Sequence, residues 1–135
     1  MSNVKDIRTA LEARLAAITS PLDTQWENTA YKPIADKPYQ KVDLLLAEPV
    51  NPEMGGYVQQ DGIMQVMLRF PANSGTGAIA TAAQAVRDWF YKGLTLAANG
   101  TTLTINRTPN IAAGGIDGDR YLTAVKIRFF SNSGS

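Results

Sequence analysis

The sequence predicts an α+β fold in which two helices cover one face of a mainly antiparallel sheet, all within a single domain. Three observations carry this expectation. Two segments repeat apolar residues at steps of three and four, several others alternate with period two, and Asn99-Gly100 separates two of the alternating runs. At 135 residues the chain has room for one core.

The spacing predicts a first helix over residues 3–19. Val4, Ile7, Leu11, Leu15 and Ile18 form its apolar stripe, while Lys5, Arg8, Glu12 and Arg14 lie on other faces. Asn3 suits the N-cap, and Asp6 places a negative charge in the first turn, where the helix dipole favours it. Ser20-Pro21 ends the helix, because a residue before proline is pushed out of the α region.

Pro21, Pro33 and Pro38, with Trp26 and Tyr31 between them, read as an extended crossing segment with a short edge strand near Trp26. From Tyr39 to Ala47 the period becomes two: Val42, Leu44 and Leu46 point one way, Lys41, Asp43 and Leu45 the other. Residues 48–56, with two prolines and a Gly-Gly pair, read as a loop. Tyr57 to Phe70 follows as a long strand bent at Gly62, with Met64, Val66, Leu68 and Phe70 on the core face.

After Pro71 and a short polar loop, a second helix runs to about Lys92 on a stripe of Ile79, Ala82, Ala83, Val86 and Phe90, with Gly93 as its C′ glycine. Leu94–Ala98 and Thr101–Arg107 flank Asn99-Gly100 as a hairpin. Residues 108–119 read as a Gly-rich loop, and Tyr121–Phe130 as the last strand, with Val125, Ile127 and Phe129 inward. The single domain is expected over 1–135, with 130–135 as a polar tail. The sheet face turned away from the helices carries Gln65, Arg69, Thr102, Thr104, Lys126 and Arg128, polar enough for water or a neighbouring subunit.

Composition narrows the chemistry. The chain has no cysteine and no histidine, which removes thiolate nucleophiles, disulfides, Cys-based metal sites and the commonest neutral-pH base. Its formal charge is 13 − 12 = +1, with no long run of either sign, so neither a nucleic-acid footprint nor a membrane-binding patch is expected. No apolar window has the length of a membrane span, and Met1–Asp6 has no apolar core of a secretory signal; synthesis in the cytoplasm is the expectation.

Three segments invite a functional reading and fail it. Residues 73–77 lie between strand and helix where phosphate loops sit, yet Gly77 is followed by Ala78 and not by the Lys-Ser/Thr of a Walker loop. Residues 114–119 faintly resemble a calcium loop but lack the fixed oxygen ligands and distal Glu. Asp43, Glu48, Glu53 and Asp61 offer carboxylates, but nothing in the pattern sets two of them on one face of one element. No catalytic, cofactor or metal residue is therefore expected. Trp26, Trp89, Tyr31 and Tyr57 are better explained as core or interface anchors than as base-stacking platforms.

Four blocks, VKDIRTALEARLAAI, VDLLLAEPVNPEMGG, DGIMQVMLRFPANSGTGAIATAAQAV and RTPNIAAGG followed by DRYLTAVKIRF, together resemble the phage tail terminator-like family and come in its order. The resemblance implies a non-enzymatic, cofactor-free α+β subunit of the virion tail that forms a ring, usually a hexamer, on the head-proximal end of the tail tube. Such a ring stops tube polymerisation, meets the neck or head-completion protein, and lets DNA through its lumen without specific binding. No membrane is involved. Ring closure needs two different complementary patches on each subunit. The expected contacts are the 48–60 loop with Asn51, Pro52, Glu53 and Tyr57, then Arg69, and Ser74 and Thr76 at the entry to the second helix, then the 108–119 loop. Two alternatives stand beside this reading: another neck or head–tail connector, or a small-ligand module or carboxylate-dependent enzyme with a closed apolar pocket.

Overall fold

The computed structural model describes residues 4–18, 22–27, 32–34, 37–47, 58–73 and 75–133. Helix α1 (Val4–Ala16) is followed by strands β1 (Asp23–Gln25), β2 (Tyr39–Leu46) and β3 (Val58–Pro71), then helix α2 (Gly77–Trp89). Strands β4 (Thr95–Ala98), β5 (Thr101–Ile105), β6 (Asn110–Asp117) and β7 (Arg120–Ser133) complete one seven-stranded sheet. The class is α+β as expected, and the sheet is antiparallel except where β1 runs parallel to β2.

Strand β7 is the hub. One edge pairs with β3 along its whole length, from Pro71↔Arg120 to Val58↔Ser133. Its other edge is divided: β6 takes Arg120 to Lys126, and β5 takes Phe129 and Phe130. The sheet therefore forks along one strand, with order β1-β2-β3-β7-β5-β4 and β6 branching from β7.

Both helices lie on one face. Ile7, Leu11 and Leu15 of α1 and Ile79, Ala83, Val86 and Phe90 beneath α2 join Val42, Leu44, Met64, Val66, Leu68, Val125, Ile127 and Phe129 in a single core. These are the residues that helical and period-two spacing selected. Truncating one of the large ones to Ala costs about 2–5 kcal/mol by lost transfer energy and cavity formation. At the ends of the two predicted stripes the pattern weakens: Val4 and Leu46 are exposed.

Four boundaries differ from the sequence expectation. Helix α1 ends at Ala16, and α2 ends at Trp89 with Phe90 as its C-cap. Gly93 is thus not the C′ residue; it lies in the turn into β4 and donates its N–H to Ile105 O at 2.7 Å. The last strand does not stop at Phe130 but runs through Ser133, because β3 continues beside it to Val58. Ser131 is buried there and donates its hydroxyl to Thr102 O at 2.6 Å.

The fourth difference is the largest. Most of the predicted 108–119 loop is strand β6, which pairs with the first half of β7 around a bulge between Ala113 and Gly115. The two-residue connection is Gly118-Asp119, with Gly118 at φ 62°, the left-handed conformation a tight hairpin needs at its first central position. Small residues hid this strand from a hydrophobic-period reading; its stability comes from backbone pairing to an otherwise bare edge. The Asn99-Gly100 hairpin is as expected, with both residues at positive φ.

Candidate functional site

Strand register defines the face turned away from the helices. Across β2, β3 and β7 its rows are Tyr39–Arg69–Leu122, Lys41–Met67–Ala124, Asp43–Gln65–Lys126 and Leu45–Ile63–Arg128. Lys41, Asp43, Gln65, Lys126 and Arg128 are all partly exposed, so this face is open where the sequence predicts a polar one.

One end of this face is closed by the chain itself. Arg120, buried on that side, donates from Nη2 to Ile34 O at 2.8 Å and from Nη1 to Lys37 O, and its guanidinium stands 5.1 Å from the Tyr39 ring centre. Two carbonyls and an aromatic face thus fasten Ile34, Lys37 and Tyr39 to Arg120 by charge-assisted and cation–π contacts.

The other end of the face holds a cleft of about 400 Å³. Leu45, Leu46 and Ile63 supply its apolar lining, and Asp61, Arg107 and Arg128 its charges. It exists because β5 joins β7 only at Thr104↔Phe130 and Ile105↔Phe129, after which the chain leaves through Asn106 and Arg107 and leaves the rim open. Its floor is tight: a Cβ added to Gly62 would lie 2.6 Å from Phe129 Cζ and 3.0 Å from Leu45 O.

Of the carboxylates weighed in the sequence, the two among the described residues, Asp43 and Asp61, do not assemble into a site. Asp43 lies opposite Gln65, whereas Asp61 sits four residues further along β3, where its side chain accepts from Gln59 Nε2 at 3.0 Å. Four strand residues separate the two by roughly 13 Å. Glu48 and Glu53 lie outside the described residues. No cluster of three or more potential metal ligands occurs among the described residues.

The carboxyl group with a distinctive environment is Glu27, which the sequence reading did not single out. Its Oε1 accepts the Leu44 N–H at 2.8 Å and Arg8 Nη1 at 3.0 Å. The backbone N–H bond is the main cause holding its pKa below the usual value; partial burial works against it, and Arg8 and Lys41 add to the lowering. Glu27 fills the β2 edge just past the short β1 pairing and so closes that edge.

Of the expected contact residues, Asn51, Pro52, Glu53, Tyr57 and Ser74 lie outside the described residues. Arg69 is on the open face, donating from Nη1 to Asp117 Oδ2 of the β6–β7 hairpin at 3.2 Å. Thr76 is the exposed N-cap of α2, at φ −108° and ψ −11°, and its side chain makes no capping bond. Arg69 thus braces a hairpin, while Thr76 joins its helix through its carbonyl, which accepts the Ala80 N–H at 3.0 Å, and leaves its side chain exposed.

The described residues thus form a helix-covered, forked antiparallel sheet with one open face. The family model described as phage tail terminator protein matches residues 6–129, and the chain belongs to that family. It is thereby a structural protein of the phage tail. A solved structure known only by its sequence label overlays with a TM-score of 0.77 at 20% identity, covering 96% of this chain and 94% of that one, which speaks to the fold alone. No curated protein matches the chain. Among the described residues no helix is long and apolar enough to cross a membrane.

Proposed function

We propose that the chain, read as one domain over 1–135, assembles into a ring, hexameric by its resemblance, that seats on the head-proximal end of the tail tube. The ring ends tube polymerisation, presents its far side to a neck or head-completion protein, and passes DNA without gripping it. The observation that carries this reading is the family match over residues 6–129. A near-neutral chain, at +1, supports the passive lumen, since phosphate contacts that bind tightly also impede movement. Catalysis and cofactors play no part in it.

Asn51, Pro52, Glu53 and Tyr57 of the 48–60 segment, whose last three residues belong to β3, together with Arg69, Ser74 and Thr76, are our proposed assembly contacts. The test is to add the purified protein to polymerising tail-tube protein and image the tubes by electron microscopy. Tubes arrested in length, each with a ring at one end, are expected. Undisturbed growth with bare ends would sink the terminator role and favour a neck position, to be checked by binding to the head-completion protein.

A further inference from the structure

We propose that the cleft at the open end of the sheet receives the β6–β7 hairpin tip of a second copy of this chain, so that successive copies join head to tail. The inference rests on the ring-forming reading above and names the surfaces that close the ring.

The two surfaces match in polarity and charge. Ile116, at the tip, is 68% exposed, the most exposed large apolar side chain among the described residues. It is followed by Asp117 and Asp119, whose side chains are 64% and 85% exposed even with Arg69 and Arg120 beside them. The cleft offers the complement: Leu45, 56% exposed, with Leu46 and Ile63, and beside them Arg107 and Arg128, neither of which has an ion-pair partner among the described residues; Asp61, the one carboxylate in its lining, accepts from Gln59 Nε2, so the two guanidinium groups are in excess. An apolar knob with flanking carboxylates thus faces an apolar cleft with flanking guanidinium groups, which form charge-assisted, geometrically specific bonds to carboxylates.

Geometry excludes self-docking. Arg120 begins β7 at the tip and Arg128 borders the cleft, eight strand residues apart, or about 26 Å along one rigid strand. A chain's own tip therefore cannot reach its own cleft. Made in one direction, the contact between copies is heterologous and leaves a free tip at one end and a free cleft at the other, whereas a reciprocal exchange of tips would give the double variant dimers in place of a ladder. Repetition then closes into a ring when the rotation between copies permits.

The absence of native cysteine makes the test clean. Full-length chains carrying Ile116→Cys alone or Leu45→Cys alone are each checked for native circular dichroism. Each is then oxidised in the presence of tail-tube protein. Each alone is expected to give no covalent dimer, and an equal mixture to give dimers and nothing longer. The double variant is expected to give a ladder that ends at the ring number. Arg107→Glu in the cleft-bearing partner should lower the mixed-dimer yield on the order of tenfold, and Asp119→Arg in the tip-bearing partner should restore it.

A mixture without dimers overturns the docking whether or not the tubes are capped. Capped tubes in that same sample leave the ring reading standing. Dimers and ladders without capped tubes uphold the docking and sink the tube-capping role. Cross-linking of the Leu45→Cys chain to a thiol-bearing tube protein in place of its own kind assigns the cleft to the tube, and also overturns the docking.

Discussion

Arg14 and Trp89 cap each other's helix: Trp89 Nε1 donates to Arg14 O at 2.6 Å, and Arg14 Nη2 donates to Trp89 O at 2.8 Å. The guanidinium carbon also stands 3.9 Å from the Trp89 ring centre. Both carbonyls belong to the last turns of their helices, where four C=O groups have no intrahelical partner. Two helix ends 75 residues apart in sequence are thereby fastened through carbonyls of their last turns.

Trp89→Phe removes one of these bonds and keeps the ring, so a loss of about 1 kcal/mol in urea unfolding is expected. Arg14→Ala removes the charged donor and the stacked cation and should cost about 2–3 kcal/mol. Because the residues touch, the double variant should lose less than the sum of the single losses, which a double-mutant cycle will read.

Glu27 makes stability depend on pH in a stated direction. Its folded pKa is lowered, so its contribution is present above the unfolded value and fades as pH falls through the folded one. Its side chain is about a third exposed, which limits the effect at neutral pH to less than about 1 kcal/mol. Glu27→Gln is expected to be less stable than the parent at pH 7, with the gap closing as pH falls through the lowered folded pKa, by denaturant melts over a pH series.

Gly62 tests how closely β3 approaches its neighbours. In Gly62→Ala the new methyl would meet both the Phe129 ring and the Leu45 carbonyl oxygen. Phe129 is fully packed in the core and the carbonyl is fixed backbone, so neither can yield cheaply. A loss of about 1–3 kcal/mol in thermal or denaturant unfolding is expected. Gly77→Ala, where an added Cβ meets nothing within 4 Å, is the neutral control.

Arg120 holds Ile34, Lys37 and Tyr39 at the open face. Arg120→Leu keeps the bulk but strands two carbonyls, and should cost about 2–4 kcal/mol. The distinguishing readout is local: an endoprotease that cuts on the N-terminal side of aspartate should cleave before Asp36 well before global unfolding in the variant, and not in the parent. Equal cutting rates would show that Arg120 does not fasten this stretch.

The local grammar of the chain was legible in its residues. Steps of three and four at Ile7, Leu11, Leu15 and at Ile79, Ala83, Val86 identified two buried helix faces, and alternation at Val42, Met64 and Ile127 identified strands and their inward sides. Such signals are visible because a buried face must be apolar at the period of its own backbone. The same logic exposed the polar side of the sheet and excluded thiol and imidazole chemistry before any fold was known. What tertiary structure alone decided was everything set by distant pairing. Strand β6, built of small residues, exists because β7 has a bare edge. The cleft exists because β5 leaves β7 after two residue pairs, and its two arginines meet there from segments 21 residues apart. Glu27 and the Arg14–Trp89 clasp bond to backbone groups of other elements, and a backbone N–H or C=O looks the same at every position in a sequence.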